Sequence, residues 1–110
     1  MKESEIQKDI MNYLFKSPAV AWAYVTTTGT FNIKRHGGSS WVTIGFPGMS
    51  DIIGQLRDGR MLAIEVKLPG KLPSQDQREF LELVNANNGL GIWVDTVKGV
   101  IRELEKLIQA

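Results

Sequence analysis

The spacing of apolar positions changes from one segment of the chain to the next, and those changes predict the elements. Between residues 2 and 16, Ile6, Ile10, Tyr13 and Leu14 form one stripe, with Lys8, Asn12 and Lys16 elsewhere. The segment therefore reads as an amphipathic helix, ended by Ser17-Pro18. Residues 19–27 are rich in aromatic and β-branched side chains, Val20, Trp22, Tyr24 and Val25, and read as a first strand. Two apolar segments, Ile52–Leu56 and Met61–Val66, flank Arg57-Asp58-Gly59-Arg60, and an Asp-Gly step between apolar runs signals a β-hairpin. Residues 68–73 form a turn, and Ser74 is a natural N-cap for a helix in which Gln77, Phe80, Leu81 and Val84 share the inward face. Asn87-Asn88-Gly89 stops that helix, with the glycine placed to cap it. Leu90–Val94 supplies another strand, and a strand-helix-strand link of this length predicts a right-handed parallel crossover beside the hairpin. Val97, Val100, Ile101, Leu104, Leu107 and Ile108 then mark a last helix, which either covers the sheet or serves as an interface.

The region from Thr28 to Trp41 is the hardest to assign. It reads either as a β-hairpin turning at Gly37-Gly38 or as a mobile loop that orders on substrate. An exposed Phe31 or Trp41 would stack on an unpaired base or pack against a second subunit, although core packing is the commoner fate of a tryptophan. The predicted order is α-β-β-β-α-β-α. It implies a single α/β domain over residues 1–110, an α/β sandwich with a mixed central sheet flanked by helices.

Composition narrows the chemistry. With 110 residues, 43% of them hydrophobic, the chain suits one domain that buries a core without staples. It has no cysteine and one histidine, His36, so thiolate and imidazole zinc sites are disfavoured and carboxylates remain as metal ligands. The N-terminus lacks the apolar core of a signal peptide, and no apolar run approaches the ~20 residues that span a membrane. A cytoplasmic protein without a membrane partner is the expectation. A net charge of +1 does not announce nucleic-acid binding. Between Lys16 and Asp51, however, the only charges are Lys34 and Arg35, beside His36 and a Gly-Gly pair. That stretch is either a phosphate-contacting feature or simply a solvated loop.

The candidate site lies at the open end of the central hairpin. With the turn at Asp58-Gly59, Asp51 on one strand meets Glu65 on the other. Glu65 and Lys67 are two apart, so they leave the same face as Ala63, while Leu62, Ile64 and Val66 take the opposite, core-like face. Two carboxylates at this distance repel each other unless a cation lies between them. Hard oxygen ligands suit Mg²⁺ or Mn²⁺, which also accept phosphate oxygens. A lysine beside the metal orients or helps deprotonate water, or offsets charge on a phosphorane-like transition state. Such a combination hydrolyses phosphodiesters.

Asp51 followed by Glu65-x-Lys67 across a hairpin resembles the PD-(D/E)XK nuclease superfamily. Glu5 on a first helix, Gly45-Phe46-Pro47-Gly48-Met49-Ser50 leading to Asp51, Ile64-Glu65-Val66-Lys67, Pro69-Gly70-Lys71, and a helix opening Ser74-Gln75-Asp76-Gln77 are similar to the compact, stand-alone, phage-type VRR-NUC family. The likeness covers nearly the whole chain. It departs from the superfamily pattern at Ser50, where proline would precede the aspartate.

The resemblance implies a restriction-endonuclease-like fold and a metal-dependent DNA endonuclease with no organic cofactor. Asp51 and Glu65, with the Val66 carbonyl, would hold the metal, and Glu5 would contribute through water. Lys67 would position or activate water. Gln77, a polar amide on an inward face, would reach toward that water, Lys67 or the scissile phosphate; the plainer reading is a helix-start glutamine bonded to backbone. Lys34, Arg35, His36 and Lys71 would contact DNA. Compact relatives resemble Holliday-junction resolvases, which implies a homodimer acting on branched DNA in repair or recombination. The alternatives are a sequence-tolerant or restriction-like endonuclease on duplex DNA, and a non-catalytic DNA-binding module.

Overall fold

The structure, a computed structural model, describes residues 1–26 and 29–109, with Gly29, Phe31, Arg35, Ile44, Ile108 and Gln109 as backbone. The elements in chain order are α1 (Glu3–Lys16), β1 (Val20–Val25), β2 (Gly29–Arg35), β3 (Gly38–Ile44), β4 (Ile52–Leu56), β5 (Met61–Val66), α2 (Gln75–Ala86), β6 (Leu90–Val94) and α3 (Val97–Gln109). Thr27, the expected end of the first strand, and Ala110 lie outside the described residues.

The main sheet has four strands in the order β1-β4-β5-β6. β1 and β5 run antiparallel to β4, while β6 lies parallel to β5 across the α2 connection. The protein is thus mixed α/β, with helices on both faces of a mixed sheet. On one face Ile6, Ile10 and Leu14 of α1 and Val100 and Leu104 of α3 bury Ile52, Leu62, Ile64 and Val66. On the other, Leu81 and Val84 of α2 close over Ala63. β5 is therefore buried on both sides, whereas alternation alone assigned it one core face. An adjacent parallel strand and a covering helix enclose the second face as well. Removing an isoleucine side chain such as Ile64 from water contributes roughly 1.5–3 kcal/mol.

Three local expectations need correction. The region after Thr28 is a hairpin, but β2 and β3 form their own two-stranded sheet and add two strands to the predicted order. Its turn is His36-Gly37, since Arg35 pairs with Gly38, and Gly37 takes the left-handed φ of 87° that a tight two-residue turn requires. At the end of α2 it is Asn88, not Gly89, that turns left-handed, at φ 65°. Asparagine tolerates that region, while a Cβ on Gly89 would come within 2.6 Å of Val84 Cγ1. Trp41 does not enter the core; it is 71% exposed. Among the described residues, no helix is long and apolar enough to cross a membrane.

Candidate metal-binding carboxylate site

The β4–β5 register pairs Ile52 with Ile64, so the next step outward sets Asp51 against Glu65. Tertiary bonds hold Asp51 in that position. The Thr26 N–H donates to its carbonyl at 2.8 Å, and the Thr26 hydroxyl donates to the Ser50 carbonyl at 2.6 Å. Asp51 Oδ2 accepts the Val66 N–H at 2.8 Å. The N–H and C=O of an extended residue point to the same side, so the Val66 carbonyl also faces Asp51. Preceding Asp51, the loop is tied to α2. Phe46 packs edge-on against Phe80 with ring centroids 5.1 Å apart. Gly48 has φ 86°, and any Cβ there would collide with the Asp76 backbone carbonyl. This close approach is what the small residues before Asp51 permit.

Glu65 is 2% exposed. Its Oε1 accepts the Gln77 Nε2–H at 2.9 Å and lies 3.8 Å from Lys67 Nζ. Among the described residues its buried Oε2 has no hydrogen-bond partner, and neither has the buried hydroxyl of Ser50 next to Asp51. Burial pushes the Glu65 carboxyl up, and the neighbouring Asp51 charge pushes it further; Lys67 offsets only part, leaving it at about 8. A proton or a cation relieves that arrangement. The unpartnered oxygen, the paired acids and the lysine at their edge fit a hard divalent cation.

Gln77 caps its own helix and reaches into the site at once. Its Oε1 accepts the Ser74 N–H at 2.8 Å in a capping box, while its Nε2 is spent on Glu65. The side chain it reaches there is the Glu65 carboxylate. Glu5 is exposed, and its carboxylate accepts the Lys2 N–H at 3.3 Å in the first turn of α1. Among the described residues no three His, Cys, Asp or Glu side chains gather as a metal-binding group. Lys34 and His36 are exposed at the tip of the β2–β3 hairpin, and Lys71 is exposed in the turn after β5. The side chain of Arg35 lies outside the described residues, as does that of Phe31.

Two contributors were not visible as pattern. Thr26 belongs to a run of threonines that periodicity cannot tell apart, and only strand pairing selects it. Trp93 pairs with Glu65 across the β5–β6 ladder and is half-exposed there, although its strand reads simply as apolar. Compared with known proteins, the chain matches no family model, no curated protein and no solved structure.

Proposed function

We propose that the protein is a metal-dependent DNA endonuclease of the PD-(D/E)XK type, similar to compact VRR-NUC nucleases. The observation that carries this reading is the buried Glu65 carboxyl, set against Asp51 with one oxygen unpartnered. A module that only binds DNA gains nothing from paired carboxylates facing phosphate. Asp51, Glu65 and the Val66 carbonyl would hold Mg²⁺ or Mn²⁺, with Glu5 contributing through water. Such an ion supplies Lewis-acid polarisation of the phosphoryl group and neutralises developing charge.

The chain's own groups do the rest. Thr26 and the Val66 N–H hold Asp51 in place. Gln77 fixes the orientation of Glu65 by donating to Oε1. Lys67, beside that same oxygen, orients water for attack and offsets negative charge on the five-coordinate phosphorus. Lys34, Arg35, His36 and Lys71 bind the DNA backbone. A domain this small has little surface for reading sequence, so the favoured substrate is branched DNA cut by a homodimer, one site per strand.

The test is cleavage of labelled four-way junction, flap and linear duplex side by side, with Mg²⁺, Mn²⁺ or EDTA. Metal-dependent paired cuts on the junction alone support the full proposal. Cutting of every substrate keeps the nuclease and removes the junction preference. Binding without cutting under any metal rejects the enzyme. Sedimentation that finds only monomer at micromolar concentration rejects the dimer.

A further inference from the structure

The β2–β3 hairpin stands apart from the rest of the fold. Among the described residues its strands pack substantially only on each other, and they pair with no strand of the main sheet. The radius of gyration is 15.3 Å and the long axis 56 Å, against about 13 Å for the radius of a compact chain of this size. Its two faces differ. Directly opposed residues share a face, so Thr30 and Thr43, Asn32 and Trp41, and Lys34 and Ser39 line one side. All six are exposed, and the two threonine hydroxyls meet at 3.1 Å. Ile33, Ser40 and Val42 lie on the other side. No aspartate or glutamate occurs between Lys16 and Asp51, so nothing on this arm repels a polyanion.

We infer that the β2–β3 hairpin is a duplex-DNA arm, which lays the face formed by Thr30, Asn32, Lys34, Ser39, Trp41 and Thr43 into a major groove flanking the carboxylate site. The inference rests on the nuclease reading and deepens it by naming a double-stranded flank as part of the substrate. A two-stranded ribbon fits the B-form major groove, which is about 12 Å wide. Seven-residue strands at a rise of about 3.3 Å per residue reach over 20 Å. The flank engaged is then about six base pairs. Asn32 offers a donor and an acceptor to base edges, Lys34 and the hydroxyls reach phosphates, and Trp41 covers sugar or thymine methyl surface. The arm leaves the body next to the scissile centre, because Thr26 just before it is bonded to Asp51 just after it. Charge and polarity favour DNA over a second copy of the chain, whose contact would need an apolar centre on this face. RNA duplex is disfavoured because the A-form major groove is deep and narrow.

The experiment measures binding of the full chain to a labelled linear duplex in EDTA, so that affinity is read without cleavage. Combined N32A, K34A and W41A substitutions are expected to weaken binding by about tenfold or more and to lower the salt slope by about 1. Ile33→Thr on the opposite face is expected to leave affinity within about twofold. The parent should prefer DNA over RNA duplex of the same sequence, and the triple variant should lose that preference. Unchanged thermal melting shows that the variants fold. Unchanged affinity in the triple variant, equal losses on both faces, or equal binding of RNA duplex overturns the arm. So does a triple variant that turns from dimer to monomer, which assigns the face to contact between copies. If the parent still cuts DNA with Mg²⁺ in any of these cases, the nuclease reading survives. A parent that neither binds nor cuts DNA removes both.

Discussion

The chain contains two β-hairpins in succession, and they are built on opposite terms. β4–β5 is enclosed: Leu62, Ile64 and Val66 face α1 and α3, Ala63 faces α2, and β1 and β6 flank it. Among the described residues β2–β3 has no such cover, and Trp41 is largely solvent-exposed on it. Both have a glycine-containing turn, but only the Asp58-Gly59 step lies between apolar runs that announce a hairpin. What also differs is what their neighbours bury. A carboxylate pair with one acid pushed up to about 8 can persist only where the surroundings over-determine it. The enclosed hairpin supplies that rigidity, and the open one leaves its surface available to a partner.

Substitutions sharpen this contrast, beginning where the effect should be greatest. Lys67→Ala should cut DNA cleavage by about 10²–10⁴-fold while DNA binding in EDTA persists. A variant that cuts as fast as the parent would falsify the role of Lys67. Next comes a matched pair of isoleucines. In urea unfolding, Ile64→Ala should cost about 2–5 kcal/mol, whereas Ile33→Ala on the open hairpin should stay within about 0.5 kcal/mol. Equal losses would mean that the arm is packed after all.

The joint between the hairpins is a third point. Gly48→Ala drives a Cβ toward the Asp76 carbonyl at a left-handed φ of 86°. It should cost about 1–3 kcal/mol and lower cleavage with it, because the loop carrying Asp51 must lift from α2. A stable, fully active variant would show that this approach is dispensable.

Smallest, taken per pH unit, is a slope with pH. The Glu65 carboxyl is raised in the folded state from 4.5 to about 8, so the metal-free fold holds a proton that the unfolded chain has released. Its stabilising contribution is complete below about 4.5 and is lost as pH rises through about 8, with a limit of about 1.4 kcal/mol per pH unit. Melting of the metal-free protein should therefore fall across that window, and Glu65→Gln should flatten the decline. Mg²⁺ affinity, measured by calorimetry, should rise over the same range as the competing proton leaves. A melting temperature that climbs between these limits would contradict the assignment.

Local chemistry was enough to read much of this protein. Helical stripes such as Ile6-Ile10-Leu14 and Val100-Leu104 announce which face is buried, because helix periodicity and burial are the same constraint seen twice. Asp58-Gly59 between apolar runs sets the central hairpin, and counting outward from it brings Asp51 opposite Glu65. Ser74 announces the start of α2 as its N-cap.

Contacts between distant segments decided the rest. Spacing could not say that Gln77 would share its amide between the Ser74 N–H and Glu65, nor that Thr26 rather than its neighbours would hold Asp51. Glu5 satisfies the sequence pattern but lies on the helix surface, its carboxylate engaged with the Lys2 N–H. The status of β2–β3 likewise depended on whether any other element would cover it. Local propensity acts over a few residues and so sets elements and turns. Burial, unpartnered oxygens and the rise in the Glu65 pKa come from segments far apart in the chain, and only folding brings those together.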